Sequence, residues 1–291
     1  MKVSIVIPTL NEENLLPVLL DSIKMQSYSD CEIIVADAGS TDTTRNIAVS
    51  RGAKVVEGGL PGPGRNAGAA HAKGEYIFFL DADVQLPGAF LENAVGELDE
   101  RYLDLATCEI RPTSGHVLDR VVHKFINMTV KANLRIDPKA MGFCIFVTRR
   151  LFNRVKGFDE TIRVGEDAEF VKRAAKLSNL RWLSSVYINV SVRRFEKEGR
   201  LAYIKKGIKL NLYRMFRGEV RTEAIEYEFA HYDEKEHEYK VRLVQKIEQA
   251  LMKLEKKDIR DFYKPEMEIE NTLDEAAEDL KRLFEGSKER D

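Results

Sequence analysis

Over the first 110 residues, short apolar runs alternate with segments of helical spacing. Residues 3–7 (VSIVI), 32–36, 53–57 and 75–80 read as buried strands. Between the first two, Leu15, Leu16, Leu19, Leu20 and Ile23 recur at helical spacing over residues 13–25. Asp42 suits the cap of a helix over 43–51 that Gly52 stops, and 65–72 reads as a further short helix. Pro87 suits the first turn of a helix running to about residue 100, and 102–109 reads as another strand. Strands separated by helices form βαβ units, which gives an α/β fold with a mostly parallel sheet covered by helices. Ligands of such sheets lie at the carboxyl ends of the strands.

Beyond residue 110 the pattern loosens. Residues 118–134 and 166–176 read as helices, 143–148 as a strand, and 181–192 as one or two strands. Residues 193–217 carry nine bases and two acids, with Leu201, Ile204, Ile208 and Leu212 at helical spacing. A packed amphipathic helix explains this stretch; so does a helix touching an anionic membrane surface. Net charge is −2 overall, yet residues 219–291 hold 22 acids against 14 bases, leaving 1–218 at +6. We therefore expect a folded domain over 1–218, followed by an acidic helical extension over 219–291. The basic part suits an anionic ligand, and the acidic part argues against nucleic acid. Three widely spaced cysteines and no apolar run near the roughly 20 residues of a membrane span fit a reduced, cytoplasmic chain, with peripheral attachment to the inner face of the membrane through 193–217 as a candidate.

Several short motifs fall at the carboxyl ends of the expected strands. Asp81-Ala82-Asp83 follows the apolar run YIFFL. Two acids at i and i+2 on a strand end point the same way, and a Mg²⁺ or Mn²⁺ ion relieves their repulsion. A solvated loop with a helix cap is the alternative. Asp37, beside Gly39, can accept hydrogen bonds from a base or ribose or can simply close a turn. In PTLNEE, after the first strand, helix-start chemistry explains Asn11 and Glu13, whereas Glu12 can also face a site. GPGRNA (residues 62–67) formally matches a dinucleotide loop but follows the third strand, not the first, and Pro63 restricts it. Arg65, expected at a helix start, is a candidate anion contact. Glu166 and Asp167 open a helix, either as dipole partners or with one as a general base. The Arg193-Arg194 pair can grip a diphosphate. The five histidines show no metal spacing or triad, and no P-loop or G-x-S-x-G occurs. These absences argue against a zinc protease, a P-loop NTPase and a serine hydrolase.

In order and spacing, SIVIPTLNEE, IIVADAGSTD, GRNAGAAHAKGEYIFFLDAD, KGFDE, GEDAEF and VRRFEKEG resemble the family-2 glycosyltransferases over roughly residues 1–200. The resemblance implies a GT-A fold, Rossmann-like, with a catalytic domain over 1–218 whose nucleotide-binding half is 1–110 and acceptor half 111–218, and the acidic tail over 219–291 as a C-terminal helical extension. It implies an enzyme, a glycosyltransferase that moves a sugar from a nucleoside-diphosphate sugar to an acceptor hydroxyl, inverting and dependent on Mn²⁺ or Mg²⁺. The acceptor is a glycan, a lipid phosphate or a small phosphorylated molecule. Pro8, Thr9, Leu10, Glu12, Asp37 and Gly39 then hold the nucleoside; Asp81 and Ala82 lie near the ribose or donor sugar. Asp83, with Asp81, binds the metal of this DXD motif. Asp167 of the Glu166–Asp167 pair is the base, Arg65, Arg193 and Arg194 face the diphosphate, and Asn66 is a further nucleotide-sugar contact. Two departures stand out: the usual second acid after Asp37 is Ala38, and the usual aromatic before Asn11 is Leu10. A retaining transferase to a small phosphorylated acceptor and a non-catalytic nucleotide-sugar-binding scaffold are the competing readings.

Overall fold

The computed structural model describes residues 1–198. The basic helix expected over 199–217 and the acidic extension over 219–291 lie outside the described residues. Among the described residues the chain order is β1 (Val3–Thr9), α1 (Leu16–Lys24), β2 (Cys31–Asp37), α2 (Thr44–Ser50), β3 (Lys54–Glu57), α3 (Pro61–Ala70), β4 (Tyr76–Phe79) and β5 (Val84–Gln85). There follow α4 (Phe90–Glu100), β6 (Leu105–Pro112), α5 (Val117–Ala132), β7 (Ile145–Thr148), α6 (Arg149–Arg154), α7 (Glu166–Ala175), β8 (Arg181–Val190) and α8 (Arg193–Glu198).

The chain divides into two compact units. Met1–Thr113 with Asn133–Ser191 forms the first, and it holds all eight strands. They make one sheet in the order β3-β2-β1-β4-β7-β6-β8-β5. β1, β2, β3 and β4 run parallel, as do β6 and β8, whereas β7 pairs antiparallel with β4 and β6, and β5 with β8. The chain leaves β1 for β2 on one side and later for β4 on the other. Sheets of this kind bind ligands beside such a reversal, at the strands' carboxyl ends. In the second unit, α5 and α8 are described. There Asp119 accepts from Ser114 Oγ, and the His123 ring lies 5.6 Å from that of Phe195.

Period-two alternation sorts the strand residues into two faces. Val6, Ile34, Ile77, Phe79, Ile145 and Val147 pack with Ala69 of α3, Leu151 and Phe152 of α6, and Phe170, Val171 and Ala174 of α7. Phe79 anchors an aromatic cluster there, with ring centroids 5.1 Å from Phe158 and 5.5 Å from Phe152. On the opposite face Phe78 and Phe146 lie 4.6 Å apart, and Phe90 of α4 packs 5.9 Å from Phe146.

Several expected boundaries shift. α3 begins four residues before Arg65, because Pro61 opens the helix and Pro63 still sits in its first turn, where a missing N–H costs nothing. α4 begins at Phe90, not Pro87, since Ala89 takes φ +56°. β1 and β2 each extend to a polar residue, Thr9 and Asp37. β5 and α6 were not expected; each is too short to show a period. The stretch after residue 181 forms one strand, with a register shift opposite Cys108/Glu109. Among the described residues no helix is long and apolar enough to cross a membrane.

Candidate active site

The register sets Thr9, Asp37 and Glu57 in one row at the carboxyl edge of β1, β2 and β3. Asp37 is fully buried, and its partners explain how. Thr9 Oγ1 donates to Oδ2 at 3.2 Å, the amides of Gly39 and Ser40 donate to Oδ1 at 3.2 and 3.0 Å, and Ser40 Oγ also donates to Oδ2. Gly39 takes φ +87°, which lets the loop fold back over the carboxylate. The following residues stitch this loop to the one after β1. Asn11, at φ +54°, donates its amide to Ser40 Oγ and accepts from the Thr41 amide at Oδ1, both at 2.9 Å. The Glu12 amide donates to Thr44 Oγ1 at 2.8 Å. Glu13 Oε2 accepts from Thr43, while Asp42 accepts from the amides of Thr44 and Glu13. Leu10 lies exposed at the rim. Pro8 falls where β1 has lost β4 as a neighbour, so its missing N–H breaks no ladder on that side.

β4 ends at Phe79, short of β1, and Leu80 continues its line by donating its amide to Val6 O. The two aspartates therefore lie on the loop beyond the strand. Ala82 and Asp83 form a turn into β5, and the strand alternation expected to aim both carboxylates together has already ended. Asp81 Oδ1 accepts from Arg65 Nη2 at 2.8 Å, and Asp83 O accepts from the Ser191 amide at 2.9 Å. Ala82 is buried.

Arg65 is the centre of the cluster. It lies in the second turn of α3, not at a helix start, and is 2% exposed. Nη1 donates to Glu166 Oε1 at 2.7 Å, Nη2 donates to Asp81, and the guanidinium lies 5.6 Å over the Phe158 ring. In this structure it serves carboxylates, not an open anion surface; among the described residues its Nε has no hydrogen-bond partner. Burial works against its charge, but Asp81, Glu166 and Asp167 outweigh that and raise its pKa. Burial, with Asp167 alongside, likewise pushes the Glu166 carboxyl up, against the pull of Arg65.

Asp167, in the first turn of α7, is held by the Gly142 amide, which donates to Oδ2 at 2.9 Å. A Cβ at Gly142 would stand 2.3 Å from Arg65 Nη2, so only glycine lets the backbone touch both groups. Gly142 was missed from sequence; nothing local in AMGFC marks it. Asn66 turns both ends of its amide to the KGFDE segment. Oδ1 accepts from the Phe158 amide at 2.8 Å, and Nδ2 donates to Phe158 O and Glu160 Oε1, each at 2.9 Å. In this structure Asn66, expected as a nucleotide-sugar contact, is a staple between α3 and residues 157–160. Arg193 and Arg194 open α8, in the second unit.

The model of Glycosyl transferase family 2 matches residues 4–158, more than half of the chain. The chain belongs to glycosyl transferase family 2. Among curated relatives of this family-2 chain, the Staphylococcus aureus poly(ribitol-phosphate) beta-N-acetylglucosaminyltransferase TarS is 28% identical over 60% of this chain and 32% of its own length. A Bacillus spizizenii poly(ribitol-phosphate) beta-glucosyltransferase is 33% identical over 60% and 29%. The chain thus spans about a third of the length of these relatives. The fold matches that of S. aureus TarS 1–349 in complex with UDP-GlcNAc, with TM-score 0.56, 19% identity, and 97% of this chain and 92% of that one covered. It also matches the mannosyltransferase PcManGT from Pyrobaculum calidifontis in complex with GDP-Man and Mn²⁺, with TM-score 0.58, 23% identity, and coverage of 72% and 61%. These likenesses establish a GT-A-type fold for the family-2 chain.

Among the described residues, no group of three or more His, Cys, Asp and Glu side chains forms a metal cage. An ion held by one or two carboxylates and substrate phosphates needs none. Asp81 and Asp83 offer hard oxygen donors, and of Asp81 only Oδ1 is committed to Arg65. The donor set therefore fits a hard divalent ion.

Proposed function

We propose that this chain is an inverting, metal-dependent glycosyltransferase that moves a sugar from a nucleoside-diphosphate sugar to an acceptor hydroxyl. The observation that supports it best is the Arg65 bridge. One buried guanidinium ties Asp81, on the loop after β4, to Glu166, whose neighbour Asp167 is the proposed base. The family match ends at residue 158, so this juxtaposition is an observation separate from the match.

The nucleoside lies against Pro8, Thr9, Leu10 and Glu12 and the loop that Asp37 and Gly39 hold. Asp83, with Asp81, would hold Mn²⁺ or Mg²⁺, which when bound supplies positive charge at the leaving diphosphate. Asp167 accepts the proton of the attacking hydroxyl, with the Gly142 amide fixing its orientation. The names of the relatives point to an acceptor that carries phosphate, whether polymer, lipid or small molecule.

Asp167→Asn tests the reading. Transfer should fall by at least about 100-fold, the usual scale of general-base catalysis, with donor affinity retained. An Asp167→Asn protein with normal turnover would remove the base from the mechanism. The anomeric configuration of the product, opposite to the donor's, checks inversion.

A further inference from the structure

Cys108 and Cys144 take no part in that chemistry, yet the fold brings them together. β6 pairs antiparallel with β7 through Leu105↔Val147 and Ala106↔Phe146, and the same register carried two residues further sets Cys108 opposite Cys144. Directly opposed residues of antiparallel strands have Cα atoms about 4.5–5.5 Å apart, inside the range a disulfide spans. The sulfurs lie 3.4 Å apart, and both residues are buried, 2% and 0% exposed. Thr107 Oγ1 donates to Cys144 O at 2.8 Å and holds that backbone against β6.

We propose that this pair is a site of reversible oxidation, closed to a disulfide by hydrogen peroxide. Burial opposes ionisation of both thiols. At Cys144, donation from Cys108 and Thr107 outweighs it and lowers the pKa, while Cys108 is pushed up. The Cys108 amide and Thr107 Oγ1 each face Cys144 Sγ at 3.4 Å, which makes Cys144 the attacking sulfur. Its sulfur takes an oxygen from peroxide and becomes a sulfenic acid, releasing hydroxide. The Cys108 thiol then attacks that sulfur, the S–S bond forms, and water leaves. Overall two thiols lose two electrons and two protons, and one peroxide yields two waters.

The bond would add a covalent tie to a turn that matters. The Cys144 amide donates to Met141 O, closing residues 141–144 around Gly142, which touches Arg65 and Asp167.

The experiment treats the full chain with hydrogen peroxide under native conditions, then denatures it and counts thiols with a maleimide by mass spectrometry. Free thiols should drop by two, with a cross-linked peptide pair containing Cys108 and Cys144, and dithiothreitol should restore them. The Cys31→Ser variant, altered only at a half-buried position, should lose both of its remaining thiols. Retention of both thiols in that variant, or their conversion to sulfinic acids without a cross-link, would overturn the proposal.

Discussion

At the residue scale, the site turns on how charge is held in a buried place. Arg65 faces carboxylates from the loop after β4 and from α7, so removing it leaves acids without their cation. Arg65→Leu should cost about 3–5 kcal/mol of stability, the usual penalty for breaking a buried pair from one side. Urea denaturation midpoints measure it; a loss under about 1 kcal/mol would mean water already screens the pair. Glu166 gives the opposite sign. Its carboxyl is held above its ordinary 4.5 by burial and by Asp167. The folded state then binds the proton more tightly than the unfolded chain. That contribution is complete below pH 4.5 and fades as pH rises through the folded pKa. Glu166→Gln cannot titrate, so its stability relative to wild type should improve steadily as pH is raised from about 4 to about 7. Denaturation midpoints across that range check the slope. From sequence alone Arg65 reads as an anion contact. Residue type marks its charge, but only the packing of α3 on α7 decides which anions it meets.

At the element scale, two loops are built by side chains that cap and staple. Asp37 receives hydrogen bonds from Thr9, Gly39 and Ser40, and the Asn11–Thr41 and Glu12–Thr44 bonds continue that seam. Asp37→Ala should loosen residues 37–44 and raise the donor KM far more than it lowers kcat, since Asp167 stands on a different element. Steady-state kinetics with varied donor measures the split, and an unchanged KM would sink the idea. Asn66 does the same for residues 157–160. Asn66→Ala strands the amide and carbonyl of Phe158 and should cost about 1–3 kcal/mol, with faster hydrogen exchange confined to that segment. The motifs GRN and KGFDE are legible in the sequence as separate short signals. That the last residue of one fastens the other is not, because 92 residues separate Asn66 from Phe158.

At the scale of the whole molecule, the proposed function predicts a linkage between metal, donor and stability. Donor sugar at about a hundredfold excess over Kd adds about 2.7 kcal/mol. That gain should appear as a rise in Tm with Mn²⁺ present and shrink when EDTA removes it. A screen of UDP-, GDP- and dTDP-sugars reads both effects, and equal shifts with and without metal would refute metal-dependent donor binding. The sequence by itself determined the layered α/β architecture of the first unit, because apolar periodicity and turn residues act locally. It also placed acids at the carboxyl ends of β2 and β4, since sheets of this kind bind ligands there. It did not reveal β5, α6 or the early start of α3, which are too short or too rich in proline and glycine to carry a period. Only the tertiary structure decided that Arg65, Asp81, Glu166, Gly142 and Asp167 form one cluster. They come from four separate segments, and partners across such distances are chosen by packing, geometry and desolvation, which no local pattern encodes.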